Sequence, residues 1–268
     1  MQQHRASTTP ERQERCLLKG PSRMLACFYR GERSSFGIGV MESVKRGVVT
    51  VDGLGASGKS ALARMLADRL GFAHLNSGLL YRATAFLAER AGLSLDDGTK
   101  IAEELLKHSV ALKHEALLGA VVLINGGQYE AELMSRRISE AASQVARHQA
   151  VRAHLLGIQQ TAFVPMGVVA EGRDMGTVVF PDAKVKFFVE ARLEVRAERR
   201  CEQLRHNGQA ADREGVASEL EARDLRDATR ATAPMKAAEG AIIIDNSDTA
   251  LEETVRRMYE IVKASDLR

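Results

Sequence analysis

The chain has 268 residues, enough for one large α/β domain with an ample core, and carries 38 Lys/Arg against 35 Asp/Glu for a net charge of +3. Residues 1–46 hold nine Lys/Arg and four Asp/Glu, so the remainder is slightly acidic at −2, which argues against a general nucleic-acid-binding surface. Cys16, Cys27 and Cys201 form neither a zinc knuckle nor an even disulfide framework, and no apolar run approaches the roughly 20 residues of a membrane span. The expectation is a cytoplasmic protein with no membrane or nucleic-acid partner.

Residues 1–46 mix Arg, Gln, Ser and Gly with no sustained period, which predicts a disordered leader. The ordered protein is expected to begin near Met41, with the folded domain covering 47–268. Val48-Val49-Thr50-Val51-Asp52 predicts a strand that runs directly into Gly53-Leu54-Gly55-Ala56-Ser57-Gly58-Lys59-Ser60. This is a complete phosphate loop. Its glycines let consecutive backbone N–H groups turn inward onto phosphate oxygens, and the following helix, with Ala61 in its first turn, adds a positive N-terminal end. Lys59 is placed to reach the β- and γ-phosphates of ATP, and Ser60 to offer its hydroxyl to the accompanying Mg2+.

A helix is expected to about Leu70, a short strand over Phe72–Leu75, then Asn76-Ser77-Gly78 and a helix over Leu79–Arg90. Another helix is expected from Asp97 to His108. Short β-like pieces follow, Val110–Leu112 and Ala120–Ile124, broken by Asn125-Gly126-Gly127, a good hairpin turn. Helices are predicted over 135–163, strand over 167–171 and again over 185–190. A charged helical stretch covers 194–230, then come a strand over 241–245 and a closing helix from Thr249. Apolar strands separated by helices indicate an α/β fold whose parallel sheet is covered on both faces, with ligands beyond the carboxyl ends of the strands.

The phosphate loop does not by itself separate a kinase from a GTPase or an ATPase. Arginines are the discriminating feature: Arg82, Arg173 at a strand end, and Arg196, Arg199 and Arg200 in one helical region. Guanidinium forks match phosphate oxygens and keep their charge, so they suit both an acceptor phosphate and the phosphoryl group in flight. Singly, each reads as a surface ion pair. Attached to a phosphate loop, the set reads as a second phosphate site. Arg196 and Arg200 fall four apart on one helix face and are expected to point at one phosphate chain, with Arg199 able to replace Arg200 after a small rotation.

The phosphate loop, Asn76-Ser77-Gly78-Leu79-Leu80-Tyr81-Arg82, Glu171-Gly172-Arg173-Asp174-Met175-Gly176-Thr177, Arg196-Ala197-Glu198-Arg199-Arg200 and Arg223-Asp224-Leu225-Arg226-Asp227 with Arg230 together resemble bacterial cytidylate kinases. The resemblance runs from Val48 to the C-terminus. It implies ATP-dependent phosphorylation of CMP and dCMP by a monomer. The implied fold is a three-layer P-loop core with a mobile helical lid over about 192–231. A monophosphate-binding region, over about 76–150, is implied to carry a small antiparallel insertion. Ser77, Arg152, Asp174 and Arg230 are implied to surround the cytosine, Arg223 and Asp227 to hold the ribose, and Arg82 and Arg173 the acceptor phosphate. Lys59, Arg173, Arg196 and Arg200 would converge on the transferred group. Asp174 suits the cytosine N4 amino donor and would repel the O4 acceptor of uracil, although an ion pair with a nearby arginine is the plainer role.

Where these kinases usually carry an aspartate before Ser-Gly, this chain has Asn76, which keeps an acceptor but lacks the charge. Glu171 is placed either to orient magnesium-bound water or to close its strand. A nucleotide-driven switch would need a guanine-reading Asn-Lys-x-Asp segment, which is missing, and a helical interaction protein leaves the phosphate loop unexplained. A P-loop kinase for a different small acceptor is the nearer rival. His108/His114 and His148/His154 stand six apart, the wrong spacing for metal ligation from one helix face, and Cys201 has no visible base partner.

Overall fold

A computed structural model describes residues 47–115, 119–163, 167–206 and 208–265. The leader, Met41, Cys16 and Cys27 lie outside them. Five parallel strands form the central sheet: β1 (Val48–Gly53), β2 (Ala73–Asn76), β5 (Val168–Glu171), β6 (Val185–Glu190) and β7 (Ile242–Asp245), in the order β2-β5-β1-β6-β7. Alternation along β1 sends Val49 and Val51 to one face, where they pack with Leu62, Leu66 and Ala67 of α1 (Lys59–Leu70) and with Val255, Met258 and Val262 of α9 (Leu251–Ala264). Each of those fully buried leucines contributes roughly 2–3 kcal/mol by leaving water. On the opposite face Val168 and Ala170 meet Met175 and Val179, with Leu156 against them. Both faces are covered, as the apolar strands predict.

Helix ends follow local chemistry. Gly71 stops α1 in the left-handed conformation at φ 64°, and the side chains of Asp97, Ser135 and Asp212 accept backbone N–H groups at the starts of α3 (Gly98–Leu105), α5 (Arg136–Val145) and α8 (Arg213–Thr229). The helices expected over 135–163 are α5 and α6 (Gln149–Thr161), with the short α4 (Glu130–Leu133) just before them. Together with α2 (Ser77–Arg90) and α3 they enclose a second core around Leu80, Ile101, Ile138 and Leu155. The charged stretch after β6 is likewise two helices, α7 (Leu193–His206) and α8, closed on each other through Cys201, Leu204, Val216 and Leu220.

The antiparallel insertion is present as β3 (Val110–Glu115) paired with β4 (Gly119–Ile124). Asn125 and Gly126 both have positive φ, 51° and 82°, and Ile124 exchanges both backbone hydrogen bonds with Gly127 at 2.9 Å. They form a tight turn of the predicted kind, but it follows β4.

Candidate active site

The carboxyl ends of β1, β2 and β5 open into a cavity of about 440 Å³. Its floor is the phosphate loop. Gly53 has φ 144°, and a Cβ there would sit 2.1 Å from the Val189 carbonyl oxygen, so only glycine carries the chain past β6. Gly58 precedes α1 at φ 90°, where a Cβ would lie 2.5 Å from Asn246 Nδ2. Ser57 turns its hydroxyl onto the Leu54 carbonyl at 3.0 Å and is buried, so it braces the loop. Gly55, Ala56, Gly58, Lys59 and Ser60 line the cavity, whereas Gly53, Ser57 and Ala61 support it from outside. Lys59 Nζ donates to the Leu54 carbonyl at 3.0 Å, and burial, reinforced by Arg173, pushes its pKa down to about 7.

The cavity wall brings together Ser77, Arg82, Arg173, Asp174, Arg200, Arg223, Asp227 and Arg230. Asp227 is the central anchor. Its Oδ2 accepts from Arg173 Nε at 3.1 Å and lies 3.9 Å from Arg223 Nε, and its Oδ1 accepts from Ser143 Oγ at 2.9 Å. Burial alone would raise its pKa, but Arg173, Arg223 and Arg230 outweigh that and hold it below the ordinary carboxylate value. Asp174 pairs with Arg152 and lies 3.6 Å from Arg230 Nη2. Burial is the larger influence there, and its pKa is raised. Arg152 itself stands behind the wall, over the Tyr81 ring at 5.6 Å. Arg82 donates to the Leu133 carbonyl at 2.7 Å and to Ser139 Oγ at 3.0 Å.

Seven cationic side chains line the cavity against three acids, so positive charge dominates. Burial first, and repulsion among Arg82, Arg173 and Arg223 next, lowers the pKa of Arg82 and Arg223. Guanidinium does not give up its proton in proteins, so this crowding is a standing demand for anions.

Among the described residues, no group of three or more His, Cys, Asp or Glu is arranged to hold a metal ion unaided. Ser60 and Glu171 nevertheless line the cavity together. Both Glu171 carboxylate oxygens are buried without an aligned hydrogen bond, although His74 Nε2 lies 3.2 Å from Oε1. Burial would raise the Glu171 pKa, but His74, Lys59 and Ser60 together leave it lowered, hence ionised. Two hard oxygen donors beside a phosphate loop fit Mg2+, which takes its other positions from phosphate and water.

Arg196 departs from expectation. It is buried, pairs with Asp224 of α8 and donates to the Ala191 and Gly55 carbonyls at 2.9 and 3.2 Å. Asp224 also accepts the Gly55 N–H at 3.0 Å, so this pair clamps the phosphate loop from behind. Arg199 and Arg200 face the cavity in its place. Among the lining residues that the sequence motifs did not include are two polar ones on α5, Ser139 and Ser143, four apart. Their spacing toward one helix face was the available signal.

A phosphate loop at the carboxyl edge of a parallel sheet, facing an arginine-rich wall across one cavity, defines a P-loop phosphotransferase. A model of the cytidylate kinase family matches residues 49–264. The chain is 40% identical to the cytidylate kinase of Pasteurella multocida over 217 residues, covering 81% of this chain and 95% of that one. It is 41% identical to the cytidylate kinase of Azotobacter vinelandii over 231 residues, covering 84% and 99% respectively. A third relative, the cytidylate kinase of a Thermotoga species, is 41% identical over 215 residues, or 80% and 96%. The chain belongs to the cytidylate kinase family.

Proposed function

We propose that the chain transfers the γ-phosphoryl group of ATP to the phosphate of CMP or dCMP, yielding ADP and the cytidine diphosphate. The observation that carries this reading is the single cavity in which a phosphate loop, an excess of four positive charges and the Asp174 carboxylate face one another. ATP lies on the loop with Lys59 at its β- and γ-phosphates. Arg82 and Arg173 hold the acceptor phosphate in line with it. Because such a transition state asks for alignment and charge neutralisation, the cationic wall supplies most of what chemistry requires.

Ser77, Asp174 and Arg230 form the cytosine pocket, with Arg152 holding Asp174 from behind; Asp174 accepts from the N4 amino group, while Arg223 and Asp227 hold the ribose. Ser60 and Glu171, the latter through water, would hold Mg2+, which would supply charge neutralisation for the phosphates. The helices α7 and α8 act as the lid, closing over both substrates so that water does not intercept the phosphoryl group. Arg199 and Arg200 ride on that lid, and Arg196 serves as its hinge-side clamp. The chain works as a monomer.

A coupled ADP-release assay with ATP–Mg2+ and a panel of CMP, dCMP, UMP, AMP and GMP tests this reading, beside Lys59→Ala and an acceptor-free control. Turnover confined to the cytidine nucleotides and lost in the variant is expected. Turnover without acceptor, or equal turnover across the panel, would reject it.

A further inference from the structure

Asp174 caps a single π turn, Met175–Val179, in which the Val179 and Phe180 N–H groups donate to the Asp174 and Met175 carbonyls at 3.2 and 2.7 Å. An aspartate in that position ordinarily folds its own carboxylate back onto the first free N–H groups of the turn. Asp174 does not. Its side chain makes no capping bond and faces Arg152 and Arg230.

The N–H groups it leaves are taken by a residue 123 positions earlier. Met175 N donates to Asp52 Oδ1 and Gly176 N to Asp52 Oδ2, both at 2.8 Å. Asp52 is 2% exposed, stands on β1 immediately before the phosphate loop, and does not line the cavity. The same strand grips the turn a second time, since a Cβ on Gly176 would lie 2.9 Å from Thr50 Oγ1. One carboxylate thus joins the strand that feeds the phosphate loop to the segment carrying Arg173 and Asp174.

We propose that Asp52 is a specificity-determining positioning residue: by occupying the first two N–H groups of the turn, it keeps the Asp174 carboxylate turned away from the turn, on the side of Arg152 and Arg230 where the acceptor base is to be met. The inference rests on the reading of Asp174 as the cytosine-recognising group. Without Asp52, the Gly176 N–H, two residues on from Asp174, is left to the Asp174 carboxylate itself. Asparagine makes the sharpest probe. It fills the same space, offers one acceptor oxygen, and sets its amide hydrogens against the other N–H.

The test compares kcat/KM for CMP and UMP in wild type, Asp52→Asn, Asp174→Ala and the double variant, with the KM for ATP–Mg2+ measured alongside. Asp52→Asn is expected to lower the CMP:UMP ratio by about tenfold or more while moving the ATP KM about twofold at most. The double variant is expected to lose no more than Asp174→Ala alone, because both act through one group. A wild-type ratio in Asp52→Asn beside a lowered ratio in Asp174→Ala overturns the inference and leaves the reading of Asp174 standing, and so do additive losses. A wild-type ratio in Asp174→Ala overturns that reading and this inference with it. Amide hydrogen exchange on the wild-type protein gives a check that needs no variant. Slow exchange at Met175 and Gly176 is expected, and fast exchange at both overturns the proposal.

Discussion

The phosphate-loop end of the cavity takes nearly everything from eight consecutive residues and their main chain. The arginine end, by contrast, is assembled from side chains on α2, α5, α8 and the segment after β5, with direct contacts spanning 54 to 84 residues of sequence. A loop of backbone donors tolerates little change in its glycines and asks little of its side chains. A wall of paired ions depends on each partner. The difference teaches that one end should fail by losing a single catalytic charge, and the other by losing the partners that hold its charges in place.

The largest effect belongs to the loop. Lys59→Ala is expected to lower kcat by about 10³-fold or more, with the fold intact, since the residue supplies charge in the transition state. Steady-state kinetics with thermal unfolding beside them checks both parts. Asp227→Ala comes next and strikes the opposite end. It leaves Arg173, Arg223 and Ser143 without a shared acceptor. Removing one partner from a buried ionic cluster costs about 3 kcal/mol. The KM for CMP is expected to rise at least about tenfold while the KM for ATP changes little. Equal damage to both would break the comparison between the ends.

Between these sits a pH effect at the residue joining the two ends. Burial is the chief influence on Asp52 and raises it from 3.8 to about 6, against the pull of its bonds to Gly176 and Met175. The charged groups facing it are Asp174, which raises it further, and Arg173, which opposes; the Lys186 stem packs at Gly176. The folded state holds this proton more tightly than the unfolded chain. Its contribution to stability is therefore intact below about pH 4 and is lost as pH rises towards 6, amounting to about 2–3 kcal/mol. Urea unfolding at several pH values is expected to show this slope in wild type and its absence in Asp52→Asn. The protein gives up stability to keep an ionised acceptor there, as a positioning role demands.

The legibility of the chain in its sequence follows the same division. The phosphate loop is readable because each of its residues answers a local steric or electrostatic need, and Gly53 and Gly58 meet those needs in the structure as expected. The sheet was readable because buried parallel strands are continuous apolar runs. Periodicity alone did not show where one helix ends and the next begins within 135–163. Arg196 shows why helix spacing falls short at the wall. An i, i+4 relation places two arginines on one face, but a carboxylate 28 residues further on decides which of them is captured. Ser139 and Ser143 were hidden for a related reason, since small polar residues on an amphipathic helix look alike whether they face solvent, core or cavity. Asn125-Gly126 was correctly a turn, yet the pairing of β3 with β4 depends on their whole register and not on the strongest turn signal nearby.

The smallest effect lies on the outer surface where α5 meets α8. Arg136 of α5 pairs with Glu219 of α8, and Glu140 of α5 lies 2.6 Å from Arg226 of α8. These contacts repeat along the two helices just outside the buried bonds of Ser143 and Asp227, so geometry alone would make them a clasp between α5 and α8. Energetics argues otherwise for the first pair. Both its side chains are about half exposed, at 45% and 52%, where water and salt screen the attraction and ordering two long side chains costs entropy. Arg136→Ala is therefore expected to change stability by less than about 1 kcal/mol and the KM for CMP by less than about threefold, with the difference vanishing in about 0.5 M salt. A tenfold effect that persists in salt would mean that lid closure draws on this surface pair as much as on Asp227, and the contrast between exposed and buried partners would have to be redrawn.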